Sequence, residues 1–171
     1  LFTVELLRAL QDQGDLVKKE EGMWTVAADL DWGILPARVE AVIARRIETL
    51  PQELRHLLAV ASVEGESFSV EVVAKVQGIA VRSLLHELSQ ELDHRYRLVR
   101  EQGEWQLGQQ SITRYQFRHN LFQQYLYHQL STAERRAFHR EVAATLEQIG
   151  GDDLEPLAVS LAQHYMAAGD A

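Results

Sequence analysis

The sequence predicts a mainly α protein that carries a small β-ribbon, and three observations lead there. Apolar residues recur at helix-face spacing through most of the chain. Between Tyr96 and Phe117 the pattern gives way to short runs of strand character around Gly103. At His119-Asn120 the period switches from two to about 3.6, from a strand to a helix.

The bulk properties narrow the class. With 171 residues, 46% of them hydrophobic, the chain can build one large core or two small ones. A net charge of −8 disfavours nucleic acid, whose binding rests on phosphate neutralisation, unless the basic residues are segregated. The absence of cysteine excludes disulfide staples, thiolate metal sites and a Cys nucleophile. No apolar run approaches the ~20 residues that span a bilayer, and nothing resembles a signal peptide. A cytoplasmic location without membrane contact is the expectation.

Taken in order, Leu1–Leu10 is amphipathic, with Phe2, Leu6, Leu7 and Leu10 on one face and Gly14 suited to its stop. It starts without a cap or an initiator Met, so a chain cut from something longer is expected. Leu16–Glu20 and Met23–Val26, around Glu21-Gly22, read as a short hairpin or extended insert anchored by Trp24. The next helix starts at Leu35-Pro36, with Val39, Val42, Ile43, Ile47 and Leu50 on its buried face and Arg45-Arg46 on a solvated one. Thr49-Leu50-Pro51-Gln52 fits a capping box for a helix bearing Leu54, Leu57, Leu58 and Ala61.

Ser67-Phe68-Ser69 is expected to cap Val70–Gln77. That stretch is rich in β-branched residues, which favour a strand, but Val72, Val73 and Val76 keep helical spacing and Gly78 ends it. Val81, Leu84, Leu85, Leu88 and Leu92 mark an amphipathic helix. Tyr96–Arg100, a turn near Gly103, Trp105–Leu107 and Thr113–Phe117 supply short strands. Three helices followed by a β-ribbon is the winged-helix arrangement.

Tyr115 and Phe117 then alternate with Gln116 and Arg118, and from Leu121 the residues Phe122, Tyr125, Leu126 and Leu130 follow one helix face. Asn120 is the expected N-cap, and a polar pair beside the unpaired N–H groups of a first turn suits an anion. Ser131-Thr132-Ala133-Glu134 forms a capping box for a long helix with Phe138, Val142, Leu146 and Ile149 inward, broken at Gly150-Gly151. Leu154, Leu157, Ala158, Leu161 and Tyr165 mark a last helix. Two such helices look like the opening pair of a helical-repeat array.

At the junction a resemblance enters. Phe117-Arg118-His119-Asn120-Leu121 resembles the Phe-Arg-His-Ala/Asp-Leu segment of STAND-type (AAA+/NB-ARC-like) signal-transduction ATPases, which are multidomain P-loop switches. Plant disease-resistance proteins and animal NOD-like receptors carry Met-His-Asp-Leu in that setting. Against that form Arg118 replaces Met and Asn120 replaces Asp, so His119 and Leu121 match. Further wording is shared: Leu1-Phe2, Gly14-Asp15-Leu16, Gly22-Met23-Trp24, Leu35-Pro36, Arg46, Leu50, Leu57-Leu58, Ala61, Gly65 and Phe68. Arg135-Arg136-Ala137-Phe138-His139 and Ala162-Gln163-His164-Tyr165 follow it too. The likeness covers nearly the whole chain, through many moderately specific positions.

The resemblance implies an organisation and a role. Residues 1–34 would end the ATPase lid subdomain and carry the hairpin. Residues 35–118 would form a winged-helix domain, and 119–171 the start of tetratricopeptide-like repeats. His119, with Arg118 beside it, would contact the phosphates of bound ADP. ATP or ADP with magnesium would be held by an upstream ATPase core, the chain's chief partner, and none by this stretch alone. Downstream repeats and a protein or ligand inducer complete the expected partners.

No phosphate loop, paired magnesium-binding acids, zinc helix or Gly-x-Ser-x-Gly elbow is present in the sequence. The stretch is therefore expected not to hydrolyse ATP alone. His56, His86, His94, His128 and His139 read as scattered single residues with structural or surface roles. The alternatives to the switch are a protein-interaction scaffold and a DNA-binding winged helix. For DNA, the recognition helix Val81–Asp93 carries Arg82 against Glu87, Glu91 and Asp93, a net −2. The ribbon Arg95–Arg118 is more basic, at +3, with Arg95, Arg97, Arg100, Arg114 and Arg118 against Glu101 and Glu104.

Overall fold

A computed structural model describes residues 16–18, 24–26, 37–107, 110–151 and 153–169. The expected first helix, Leu1–Leu10, lies outside them. The chain is mainly helical with a small three-stranded antiparallel sheet, and it divides into two compact units, Leu1–Thr49 and Leu50–Ala171.

In the first unit, β1 (Leu16–Lys18) and β2 (Trp24–Val26) pair antiparallel, with Val17 opposite Thr25. The sequence predicts a short hairpin or extended insert here, and the two strands pair. Helix α1 (Ala37–Glu48) follows, with Ile43 and Ile47 buried. The expected capping box at Thr49–Gln52 does not form. The Thr49 hydroxyl instead donates to Arg46 O, 2.7 Å away, and Pro51 holds the N-cap position of the next helix without a side-chain cap.

The second unit begins with α2 (Gln52–Glu64), which buries Leu54, Leu57, Leu58, Val60, Ala61 and Val63. Beyond Gly65, Ser67–Ser69 forms a strand, β3, that leads directly into α3 (Val70–Gln77). Ser69 does occupy the N-cap position, but its side chain caps nothing: the hydroxyl donates to Glu64 Oε1 at 2.6 Å, and its N–H to Glu64 Oε2 at 2.9 Å. Gly78 ends α3 in the left-handed conformation, φ 66°, with its N–H turned back to the last carbonyls.

Helix α4 runs Val81–His86 and continues as a π-helical stretch over Glu87–Arg95. The widening shows in the bond from Tyr96 N–H to Glu91 O, five residues back, at 2.8 Å. Leu84, Leu88 and Leu92, four apart, are fully buried, while Val81 at the helix start is exposed rather than inward. The chain leaves through Arg97 in a left-handed conformation, φ 53°. The strand β4 therefore starts at Val99 and not at Tyr96.

Strands β4 (Val99–Leu107) and β5 (Gln110–Phe117) pair antiparallel, and β3 adds to the other edge of β5, with Phe68 opposite Tyr115. The expected turn at Gly103 is a bulge within β4. The register slips between Glu101 and Gly103, whose φ of 111° suits glycine, and the pairing runs on to Leu107 opposite Gln110. Phe68 packs on Tyr115 and Phe117, ring centroids 6.3 and 5.5 Å away, all three buried.

Helices α5 (Asn120–Gln129), α6 (Thr132–Gly150) and α7 (Ala158–Ala168) complete the unit, with a short 3₁₀ turn, Glu155–Leu157, before α7. The Ser131/Glu134 capping box of α6 forms as the sequence predicts. Val63, Val72, Leu107, Ile112, Val142, Leu146, Leu157 and Leu161 share one apolar cluster. The sheet and the C-terminal helices thus rest on common packing.

Candidate functional site at the end of β5

The junction is fixed by backbone pairing before any side chain is considered. Phe117 N–H donates to Glu66 O at 2.9 Å, and Arg118 N–H to Leu98 O at 2.8 Å. The Arg118 guanidinium then turns back over the sheet. Its Nε donates to Val99 O at 2.9 Å and its Nη2 to Asp93 Oδ1 at 2.5 Å. One side chain therefore ties the end of β5 to the end of α4 and the start of β4.

His119 follows in extended conformation, φ −140° and ψ 128°, and it, not Asn120, is the N-cap residue of α5. The helix takes Asn120 as its first residue. His119 is exposed, and its ring lies 6.0 Å from that of Phe122. No side-chain cap closes the first turn, where Phe122 N–H reaches His119 O at 3.1 Å. An exposed imidazole beside the N–H groups of a first turn offers donors and a favourable dipole to a phosphate or carboxylate. Of the two residues singled out for nucleotide contact, His119 is exposed at the N-cap position of α5, and Arg118 is tied to Asp93 and Val99.

The basic residues of the ribbon are also largely engaged. Arg95 pairs with Glu91 at 2.9 Å, Arg118 with Asp93, and Arg100 donates to Gln116 Oε1 at 2.8 Å. The Arg114 guanidinium stacks over the Trp105 ring at 5.5 Å. An open groove along the hairpin is lined by Arg100 and Arg114 but equally by Glu101 and Glu104. No stripe of a single sign faces outward there, and a phosphate backbone requires one.

Two histidines 25 residues apart in the chain come together. His139 and His164, on α6 and α7, are buried with their Nδ1 atoms 2.8 Å apart, and Tyr127 Oη of α5 lies 2.9 Å from His139 Nε2. The signal was present: His139 precedes Val142 by three and His164 follows Leu161 by three, on the inward faces. Burial, then Arg135, holds the His139 imidazole below its ordinary value; burial, then His139, lowers His164 to about 4. Among the described residues no three His, Cys, Asp or Glu converge on a metal position. No described helix is long and apolar enough to cross a membrane.

Compared with models of known protein families, with curated proteins and with solved structures, the chain finds no match.

Proposed function

We propose that this chain is a regulatory section of a STAND-type P-loop ATPase switch, a winged-helix domain running into tetratricopeptide-like repeats. In this reading it closes over an ADP-bound core and relays the nucleotide state to an effector. The order helix, short strand, two helices and hairpin, with β3 and β4 flanking β5, supports the winged-helix assignment. The packed pair α6 and α7 after it suits the start of a repeat array.

The observation that carries the proposal is the exposed His119 at the uncapped start of α5. Its ring donates to an ADP phosphate oxygen in the closed state, and Arg118 positions it by clasping Asp93 and Val99. The nucleotide supplies a charged ligand that is present in one state and exchanged in the other. A contact made only in the closed state biases a two-state interface toward it. The duplex-DNA alternative is the weaker reading, since Arg95 and Arg118 are already paired with carboxylates.

Hydrogen bonds to charged groups contribute roughly 1.5–3 kcal/mol. In the full-length protein His119→Ala should therefore weaken ADP binding by about ten- to a hundredfold, measured by calorimetric titration. Equal affinities in parent and variant, with a melting temperature lowered alike with and without ADP, would reduce His119 to a structural joint.

A further inference from the structure

The Tyr127–His139–His164 chain joins three helices through a half-buried hydroxyl and two buried imidazoles, and its proton count sets when it can hold. A contact of 2.8 Å between two Nδ1 atoms accommodates one hydrogen. With both rings neutral, one Nδ1 donates and the other accepts, and the Tyr127 hydroxyl takes the complementary role at His139 Nε2. One extra proton can be taken up on an Nε2 atom without disturbing this. A second cannot, because both Nδ1 atoms would then carry hydrogen face to face, on two buried like charges.

We propose that this chain is an acid-sensitive latch, which releases α7 from α5 and α6 when both imidazoles are protonated.

The printed contacts around it, among the described residues, are aromatic, cationic or aliphatic. From α6, the Arg135 guanidinium lies over the Tyr127 ring at 5.2 Å; from α5, His128 meets that ring edge-on at 5.9 Å. From α2, His56 lies 6.1 Å from the ring of Phe138, the neighbour of His139. The part of α3 in the common cluster is aliphatic, Val72 and Val76, with Lys75 exposed. Helix α7 carries no charged residue besides His164. The α6 carboxylate Glu134 accepts from the N–H of Ser131 at 2.8 Å, and Glu141 and Glu147 are exposed.

The sign follows from the burial. Both imidazoles are held below the ordinary value of 6.5, His164 at about 4. The latch therefore contributes fully above pH 6.5 and is lost as pH falls through about 4. The inference is independent of the nucleotide reading.

Amide hydrogen exchange across 158–168, corrected for the intrinsic pH dependence and referenced to α2, tests it. Between about pH 7.5 and about pH 4.5 the protection of α7 should fall roughly 10- to 100-fold. His164→Gln, which keeps a hydrogen-bonding side chain without a titrating charge, should flatten that dependence. Should that variant fail to fold, imidazole nitrogen shifts of the wild type decide the matter. His139 and His164 should titrate at the midpoint of α7 release. Protection of α7 that is flat across the range, an equal fall in His164→Gln, or histidine midpoints unrelated to α7 release would overturn the latch.

Discussion

Glu64 and His139 lie in the same compact unit, each in a short hydrogen bond to a residue on another element, and acid acts on them in opposite senses. At the sheet end, Glu64 receives two donors from Ser69, hydroxyl and N–H. Burial raises its carboxyl group to about 7; the Ser69 bonds and Arg114 work against that rise, and Glu71 adds to it. A folded value above the unfolded one means a contribution present below the ordinary glutamate range and lost as pH rises through about 7. At the helical end, the lowered imidazoles of His139 and His164 give a contribution present above 6.5 and lost toward about 4. The two ends of one unit thus respond to acid with opposite signs. A global melting curve sums them, and only local measurements separate them.

The larger effect is expected at Glu64. Ser69→Ala removes the hydroxyl donor but leaves the N–H, and should cost about 1–3 kcal/mol in urea denaturation. The lost bond favoured the charged carboxylate, so the loss should be larger near pH 8 than near pH 5. A loss independent of pH would mean that the bond serves the neutral form equally, and the contrast between the two ends would narrow. A smaller effect is expected at the other end. Tyr127→Phe keeps the ring under Arg135 and removes only the hydroxyl on His139 Nε2, for about 0.5–1.5 kcal/mol near neutral pH. A loss several times larger would make Tyr127, rather than the histidine pair, the anchor of the helical end.

How much of this could be read from the chain depends on the range of each interaction. The helix faces of α2, α4 and α6 were legible because they repeat over three or more turns, and the Ser131/Glu134 box because both partners lie within one turn. Strand β3 was not, since three residues carry no period and its strand character exists only through β5. Gly103 was read as a turn although a bulge makes the same demand on its φ. Arg97, in the left-handed region without a glycine, had no signal at all. The change from strand to helix near His119-Asn120 was legible, but the N-cap is His119 and not Asn120. Where the strand ends is set by pairing with Leu98 and Glu66, both far away along the chain. The Arg118–Asp93 clasp and the His139–His164 contact span 25 residues each, beyond any local pattern.

The central claim is that the start of α5, with His119 at its head, meets the nucleotide. Amide hydrogen exchange across residues 119–123 of the full-length protein, with and without ADP, tests it most directly. The account predicts that ADP slows exchange there and that His119→Ala abolishes the slowing while exchange in β5 stays as it was. Exchange at 119–123 that is the same with and without saturating ADP would contradict it.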